Sequence, residues 1–186
     1  MAFAHKLMLA SALLLLVACR SDPVQFHTLT PAEIGGFLQS GDAEVQIEVI
    51  NLPPQVNRQQ IVIRQSNSSL AILETQWWGA SLVDEMRSAL ADQLLNSSVD
   101  RKVSVRLDVQ RFDSLPGQYA LIDVQWRLRN VGSNDNILIT CRSVLKTPAG
   151  SNIDDVVVAH QNNVKKLAAA IIQTVGKGAS NCPPIQ

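Results

Sequence analysis

The sequence predicts an α/β fold of the α+β type, in which an antiparallel or mixed sheet has two amphipathic helices packed on one face. The prediction depends on two patterns of apolar residues. Several segments alternate between apolar and polar residues with the period of two that is typical of half-buried strands. Two longer segments carry apolar residues at every third or fourth position, which is the period of an α-helix that buries one face.

The first strands are predicted ahead of the first helix. Residues 44–50 (EVQIEVI) place Val45, Ile47 and Val49 on one face. That strand ends before two prolines, which cannot donate hydrogen bonds to a sheet. The short apolar runs 61–64 and 70–74 flank the turn-rich QSNSS and predict a hairpin.

An amphipathic helix is predicted next, up to residue 95. Ser81 stands where an N-cap belongs. Asp84, three positions later, predicts a variant of the capping box and also suits the positive end of the helix dipole. The apolar face, which recurs every four residues, consists of Leu82, Met86, Leu90 and Leu94, with Val83 beside them.

Three more strands and a second helix follow. Residues 103–109 and 120–128 alternate cleanly, SLPGQ forms a turn between them, and a third strand is predicted over 137–146, which makes a meander. Residues 164–175 (VKKLAAAIIQTV) have the clearest helical period of the chain. This helix can begin as early as Asp154, and Gly176 is predicted to end it in the left-handed conformation.

The N-terminus has the layout of a secretory signal peptide. Residues 1–6 (MAFAHK) are positively charged, and residues 7–17 form an apolar run that ends at the small residue Ala18. At about 1.5 Å per residue, this run reaches only about half way across a hydrocarbon core roughly 30 Å thick, so it is too short to span a membrane. We therefore expect residues 1–18 to be removed.

The sequence LVAC at the end of this run resembles the bacterial lipobox. The resemblance implies that Cys19 receives a diacylglyceryl group and that the chain is cut just before it. The alternative is that Cys19 is an ordinary residue behind an ordinary signal peptide. Because Arg20, and not Asp, follows the cysteine, the sorting scheme of enteric-type bacteria implies an outer-membrane anchor and a periplasmic domain. The predicted divisions are a signal peptide over 1–18, a lipidated tether over 19–42 and a periplasmic domain over 43–186.

Composition and motifs argue against a nucleic-acid-binding protein and against an enzyme. The 16 basic and 16 acidic residues give a formal net charge of zero, and no basic run is present that would bind phosphates. The chain has no HExxH, CxxC, GxSxG, GxxxxGK or GxGxxG pattern. His27 and His160 have no partner at metal-binding spacing, and Asp154 and Asp155 are interpreted as helix-start residues. We therefore predict no catalytic residue, no metal site and no cofactor.

The other two cysteines are predicted to form a disulfide. Cys141 and Cys182 remain as an even pair in an oxidising compartment once Cys19 carries lipid. Closing a loop of about 40 residues contributes roughly 4 kcal/mol on the chain-entropy model, less any native strain. The alternative is a buried thiol at Cys141 and a free thiol in the tail.

Two adjacent tryptophans, Trp77 and Trp78, lie where a strand leads into the first helix. One indole is expected to pack under the first turn of that helix and cover the sheet. The other offers a large amphipathic ring of the kind that concentrates binding energy at protein interfaces. Both are therefore candidates for partner binding.

The order of these features resembles the PqiC family of ABC-type transport auxiliary lipoproteins. The resemblance is carried by the lipobox, by QFHTLTP and LPP, and by the block QQIVIRQSNSSLAILETQWWGASLVDEMRSALADQLL, which an alternating strand pair and a C-terminal helix follow. Arg64, Trp78 and Leu82 occupy the family's positions within the block. Trp77 beside Trp78 is a departure from the family pattern, and the cysteine pair is not a family hallmark.

The resemblance implies an outer-membrane lipoprotein that works with a membrane-spanning partner of the mammalian-cell-entry (MCE) type, such as a PqiB-type protein. Such a system moves lipids between the inner and outer membranes and maintains envelope integrity. The lipoprotein is implied to be the docking subunit, held at the membrane by N-terminal acyl chains, and a ring of its copies is expected by family analogy. The alternatives are a structural or activator lipoprotein of a cell-wall synthase or secretion channel, and an envelope hydrolase.

Overall fold

The structure, a computed structural model, describes residues 22–32, 45–95, 102–131, 139–176 and 181–183. It confirms the predicted fold class, because strands in mixed sheets pack against helices. In chain order the elements are β1 (Gln25–His27), β2 (Val45–Asn51), β3 (Gln60–Arg64), β4 (Leu70–Trp78), α1 (Leu82–Leu95), β5 (Val103–Leu115), β6 (Tyr119–Asn130), β7 (Ile139–Pro148) and α2 (Ile153–Gly176).

Four strands form the larger sheet, in the order β2-β5-β6-β7. The predicted meander is confirmed, since β5, β6 and β7 pair antiparallel in succession, while β2 lies parallel to β5. Strands β5 and β6 extend further than predicted, up to a tight turn in which Gly117 has a φ of 76°. A glycine suits this position because the left-handed conformation costs it little.

Three strands form a smaller sheet, in the order β1-β4-β3. The predicted hairpin of β3 and β4 is confirmed, with a register shift between Gln60 and Val62. Strand β1 lies parallel to β4, with Phe26 opposite Trp77. The sequence predicted one sheet, and the strands of the structure divide into two because β1 and the hairpin pair with each other.

Part of the segment predicted as a tether, residues 19–42, is folded. Residues Gln25–His27 form β1, and Leu29 is fully buried in the hydrophobic core. A strand of three residues is too short to show a period of two, and its partner Trp77 lies far away in the sequence. The predicted tether residues 19–21 and 33–42 lie outside the described residues.

Both helices pack on the same face of the larger sheet, as predicted. Helix α1 contacts β2, and α2 contacts β6, β7 and α1. Ser81 is the N-cap of α1, where its hydroxyl oxygen accepts from the backbone amide of Asp84 at 3.4 Å. The left-handed ending predicted at Gly176 is wrong, because Gly176 is the last helical residue of α2 and its φ is not positive. The largest fully buried side chains include Trp78, Trp126, Leu29, Ile61, Leu82, Met86, Leu90, Leu107, Ile122, Leu128, Leu167 and Ile171.

Candidate docking surfaces

The segment Asn181–Pro183 is held against the larger sheet through a cysteine pair. The Sγ atoms of Cys141 and Cys182 are joined at 2.09 Å, and their Cα atoms are 5.5 Å apart. Cys141 lies on β7 and is 3% exposed, whereas Cys182 is exposed. Because β7 is at the edge of its sheet, this pair fixes a piece of the C-terminal tail beside an edge strand.

A groove, which we call the edge cleft, runs between β7 and α2. It consists of two adjoining cavities of about 410 and 490 Å³, which share Lys166 and Ala169 in their walls. Pro183 lines one of the cavities, so the segment tied by Cys182 forms part of the wall. The other lining residues are Ser143, Leu145 and Thr147 from β7, and Asn162, Lys165, Ala170 and Gln173 from α2.

The edge cleft has the chemistry to receive an extended polypeptide. Strand β7 pairs with β6 on one side, and no described strand pairs with it on the other, so a strand can add to this edge through backbone hydrogen bonds. The small side chain of Ala169 leaves the space open. Among the lining residues, Lys165 and Lys166 are the charged ones, and Lys166 Nζ donates to Thr147 Oγ1 at 3.0 Å. The cleft therefore favours a ligand segment that carries carboxylates.

The two tryptophans have different environments. Trp78 is 2% exposed and packs edge-to-face on Phe112, with the ring centroids 6.4 Å apart. Its assignment as a partner-binding residue is wrong, because the core encloses its ring. Trp77 is half-buried, and its Nε1 donates to the backbone oxygen of Glu74 at 2.8 Å.

Trp77 belongs to an exposed apolar cluster with β1. The ring of Phe26 is 66% exposed and meets Trp77 edge-on at 6.3 Å, and Val24 is 41% exposed. We call Val24, Phe26 and Trp77 the aromatic patch. The sequence drew attention to Trp77 but not to Val24 and Phe26, because the pairing of β1 with β4 cannot be read from either segment alone.

Polar contacts fix the patch to the rest of the protein. His27 Nε2 contacts Gln76 Oε1 at 2.6 Å, and the backbone amide of Gly79 donates to the His27 carbonyl oxygen at 2.8 Å. Glu85, which is 7% exposed on α1, accepts at its Oε2 from the Leu29 amide and the Thr28 hydroxyl, both at 2.8 Å. The strand β1 is therefore tied both to β4 and to α1.

The outer face of the larger sheet is polar and ion-paired. Arg142 forms a two-pronged contact with Asp123, at 2.8 and 2.6 Å, and its hydrogen bonds hold the pKa of that carboxyl below its usual value. Hydrogen bonds from Asn51 and then Arg127 likewise lower the pKa of Asp108. The carboxylates of Asp123 and Asp108 are therefore already paired with arginines.

The histidines and the aspartate pair do not come together as one site. His160 is fully buried, its Nε2 lies 2.9 Å from Ser114 Oγ, and burial lowers its pKa to about 3. His27 Nδ1 lies 3.2 Å from Asp154 Oδ1, a carboxylate that is 82% exposed. Asp155 is an exposed residue in the first turn of α2, where its amide donates to Asn152 Oδ1 at 2.7 Å. In the part of the chain that the structure describes, no group of three potential ligands is placed to hold a metal ion.

Comparison with known proteins decides the family. A sequence model of ABC-type transport auxiliary lipoprotein components matches residues 27–172. The chain belongs to this family. The matched part of this auxiliary lipoprotein begins in β1 and ends in α2, so it includes both sheets and most of the edge cleft.

Solved structures with little sequence similarity share the fold. The crystal structure of protein XCC0632 from Xanthomonas campestris, of family DUF330, has a TM-score of 0.64 at 14% identity, with 83% of this chain and 97% of that chain covered. A crystal structure of an uncharacterized protein has a TM-score of 0.63 at 16% identity, with 83% and 99% covered. No curated protein matches the sequence significantly. No helix among the described residues is long and apolar enough to cross a membrane.

Proposed function

We propose that this auxiliary lipoprotein is the outer-membrane-anchored docking subunit of an MCE-type intermembrane lipid transport system. The observation that carries the proposal is the family match over residues 27–172, which makes the chain an accessory component of a transporter. The protein contributes binding and placement, and we assign it no catalytic role. We propose that this chain is PqiC-like and that its partner is an MCE-domain protein of the PqiB type.

The proposed anchor is an acylated Cys19. This residue and the proposed signal peptide over 1–18 lie outside the described residues, so the support comes from the lipobox LVAC and from the lipoprotein family. Each buried methylene of an acyl chain contributes about 0.8 kcal/mol, so two or three chains hold a protein stably at a bilayer. The first described residue, Asp22, is three positions further along the chain.

The proposed docking site is the edge cleft. An extended segment of the MCE-domain protein would add to the open edge of β7, and its carboxylates would face Lys165 and Lys166. His160 is enclosed by Phe112 and Ser114 in the core, so it is not part of this docking site. The aromatic patch is a second exposed apolar surface among the described residues.

The test is a pull-down of the acylated protein from detergent-solubilised envelopes, with mass spectrometry of the proteins that copurify. An Ala169→Trp variant fills the cleft with a large ring, and Ser88→Trp places the same ring at an exposed position of α1. We expect the MCE-domain protein to copurify with the unmodified chain and with Ser88→Trp, and to be lost by at least about tenfold with Ala169→Trp.

Two results would contradict the proposal at different levels. Recovery of the MCE-domain protein with Ala169→Trp at the unmodified level would place docking outside the edge cleft. Recovery of a cell-wall synthase or a secretion channel, with no MCE-domain protein, would favour the alternative of a structural or activator lipoprotein. Circular dichroism of both variants establishes that each is folded before the pull-downs are compared.

A further inference from the structure

The chain between the proposed anchor and β1 is short. Cys19 precedes Gln25 by six positions, and six extended residues span at most about 20 Å. Since β1 is part of the folded domain and not of a tether, the domain cannot move further than this from the bilayer surface. One end of the smaller sheet is therefore confined to the neighbourhood of the lipid headgroups.

The surface at this end carries exposed apolar side chains next to the exposed Asp22. Phe26 is 66% exposed, Val24 is 41% exposed, and Trp77 is half-buried beside them. The Trp77 indole has one polar atom, Nε1, which already donates to the backbone oxygen of Glu74. The exposed remainder of the ring is therefore hydrocarbon, which gains by leaving water.

We propose that the aromatic patch of Val24, Phe26 and Trp77 lies in the interfacial layer of the same bilayer that holds the acyl chains. The inference rests on the proposed acylation of Cys19. Aromatic rings are enriched at this depth of a membrane, and a protein surface that enters it adds a second attachment to a lipid anchor. Arg20, between Cys19 and the patch, suits the phosphate groups of the same layer.

Contact with the bilayer would orient the whole domain. The patch is rigidly joined to the helices, because Glu85 of α1 binds the Leu29 amide and His27 contacts Asp154 at the start of α2. Helix α2 passes the segment after β1, where Gln161 Nε2 donates to the Thr28 carbonyl oxygen at 3.0 Å, and Gln173 at the far part of the edge cleft is about 28 Å from Asp154 along the helix. The far part of the cleft would then lie away from the membrane, on the side from which a partner arrives.

The tryptophans provide a reporter for this contact. Trp78 and Trp126 are 2% and 0% exposed, so Trp77 is the tryptophan that a solute or lipid can reach. The acylated protein, which begins at Cys19, is reconstituted into vesicles of phosphatidylethanolamine and phosphatidylglycerol whose acyl chains carry bromine, which quenches tryptophan on contact. We expect part of the fluorescence to be quenched, and this quenching to be absent in Trp77→Phe.

A matched pair of variants locates the contact. Phe26→Ser removes the most exposed ring of the patch, and we expect it to reduce the quenched fraction by about half or more. Val131→Ser is the control. Val131 is 44% exposed, but it follows the C-terminal end of β6. His27 lies near the start of α2, at the opposite end of β6, about 35 Å away along the strand. Val131→Ser is expected to leave the quenching unchanged.

The outcomes separate this inference from the proposed function. If the protein floats with the vesicles but bromine leaves its fluorescence unchanged, the anchor is intact and the patch faces away from the bilayer, which overturns the inference. The inference is also overturned if Trp77 is shielded from acrylamide only when an MCE-domain protein is added, because the patch then binds protein. A protein that does not float with the vesicles would contradict acylation, and the inference would fall with it.

Discussion

The two sheets of this protein share one hydrophobic core but contribute to it unequally. The larger sheet has long strands, with 13 residues in β5 and 12 in β6, and its inner face is covered by both helices. The smaller sheet ends in a strand of three residues, β1, whose position depends on the buried Leu29 and on polar contacts of His27, Thr28 and Leu29 with Gln76 and Glu85. The larger sheet therefore supplies most of the buried strand residues, and the smaller sheet fixes the position of the N-terminal segment, which is a partial separation of stability and placement.

This separation suits a docking subunit. A sheet stabilised by apolar burial tolerates an open edge and a cleft beside it, since neither lies in its core. A small sheet that joins the N-terminal segment to α1 transmits the position of the anchor to the rest of the domain. The Arg64 guanidinium, 2.9 Å from the 5% exposed Asp113 of β5, links the two sheets to each other.

The largest expected effect is at the centre of the larger sheet. Trp126 is fully buried, and its Nε1 donates to Ser143 Oγ at 3.0 Å. We expect Trp126→Ala to lower the free energy of unfolding by about 3–5 kcal/mol, because it leaves a cavity and an unpaired hydroxyl. Urea denaturation measures the change. A loss below about 1 kcal/mol would mean that burial at this sheet is not what stabilises the fold.

The next effect concerns the segment that is tied to β7. Replacing Cys182 by Ala opens a loop with a sequence separation of 41 residues, and we expect a loss of about 4 kcal/mol, less any native strain. The measurement is urea denaturation of the variant beside the unmodified protein, with and without a reducing agent. Titration of the native protein with a thiol reagent should find neither Cys141 nor Cys182 free. Two reactive thiols would contradict the pairing.

The smaller sheet is tested through its link to α1. Glu85→Ala removes the acceptor of the Leu29 amide and the Thr28 hydroxyl, and we expect a loss of about 2–4 kcal/mol. Amide exchange should accelerate at Gly79, whose N–H is bonded to β1, and change little in β5 and β6. Ser88→Ala, at an exposed position of the same helix, is the control. Equal acceleration in both sheets would contradict the separation.

A pH effect of intermediate size is expected from His160. Burial lowers the pKa of His160 to about 3, against 6.5 for an ordinary histidine, so the unfolded chain binds a proton there before the native protein does as the pH falls. The free energy of unfolding therefore falls below about pH 6.5, by about 1.4 kcal/mol per pH unit, which amounts to about 2 kcal/mol at pH 5. In His160→Gln this part of the pH dependence should vanish. The measurement compares the urea midpoints at about pH 7.5 and about pH 5 in the variant and in the unmodified protein. If the two proteins show the same difference between these midpoints, the pH dependence comes from other groups.

The smallest effect on stability is expected at the aromatic patch. Phe26 is 66% exposed, so Phe26→Ser should change the free energy of unfolding by no more than about 0.5 kcal/mol. The same change should reduce quenching by brominated lipids strongly. The comparison of the two sheets predicts that Phe26 contributes to the placement of the domain at the membrane and contributes little to its stability. A large loss of stability in this variant would make Phe26 a structural residue.

The larger sheet and the helices could be predicted from sequence because each element carries its own period. The alternation of Val103, Val105 and Leu107 and the helical spacing around Leu167 are local signals, and these residues are all buried. The N-cap at Ser81 is local in the same way. Strand β1 has no such signal, since three residues show no period and its partner strand, β4, lies far away in the sequence as the second strand of the β3–β4 hairpin.

The candidate surfaces were predictable only in part. Both tryptophans were equivalent in the sequence, and the fold separates them because neighbouring residues on a strand face opposite sides, so that Trp78 enters the core and Trp77 does not. The edge cleft could not be predicted, because it depends on small side chains such as Ala169 of α2 lying opposite Leu145 of β7. Such a space arises from tertiary packing and has no sequence period.

Site-specific photo-crosslinking in living cells tests most directly whether the edge cleft binds the partner protein and the aromatic patch contacts the membrane. A photoreactive amino acid replaces Ala169 in the edge cleft and, in a second variant, Phe26 in the aromatic patch of the full-length chain. We expect a covalent adduct with an MCE-domain protein from position 169, and adducts with lipid but not with that protein from position 26. An adduct with a cell-wall synthase, or an MCE-domain adduct from position 26 and none from position 169, would contradict this expectation.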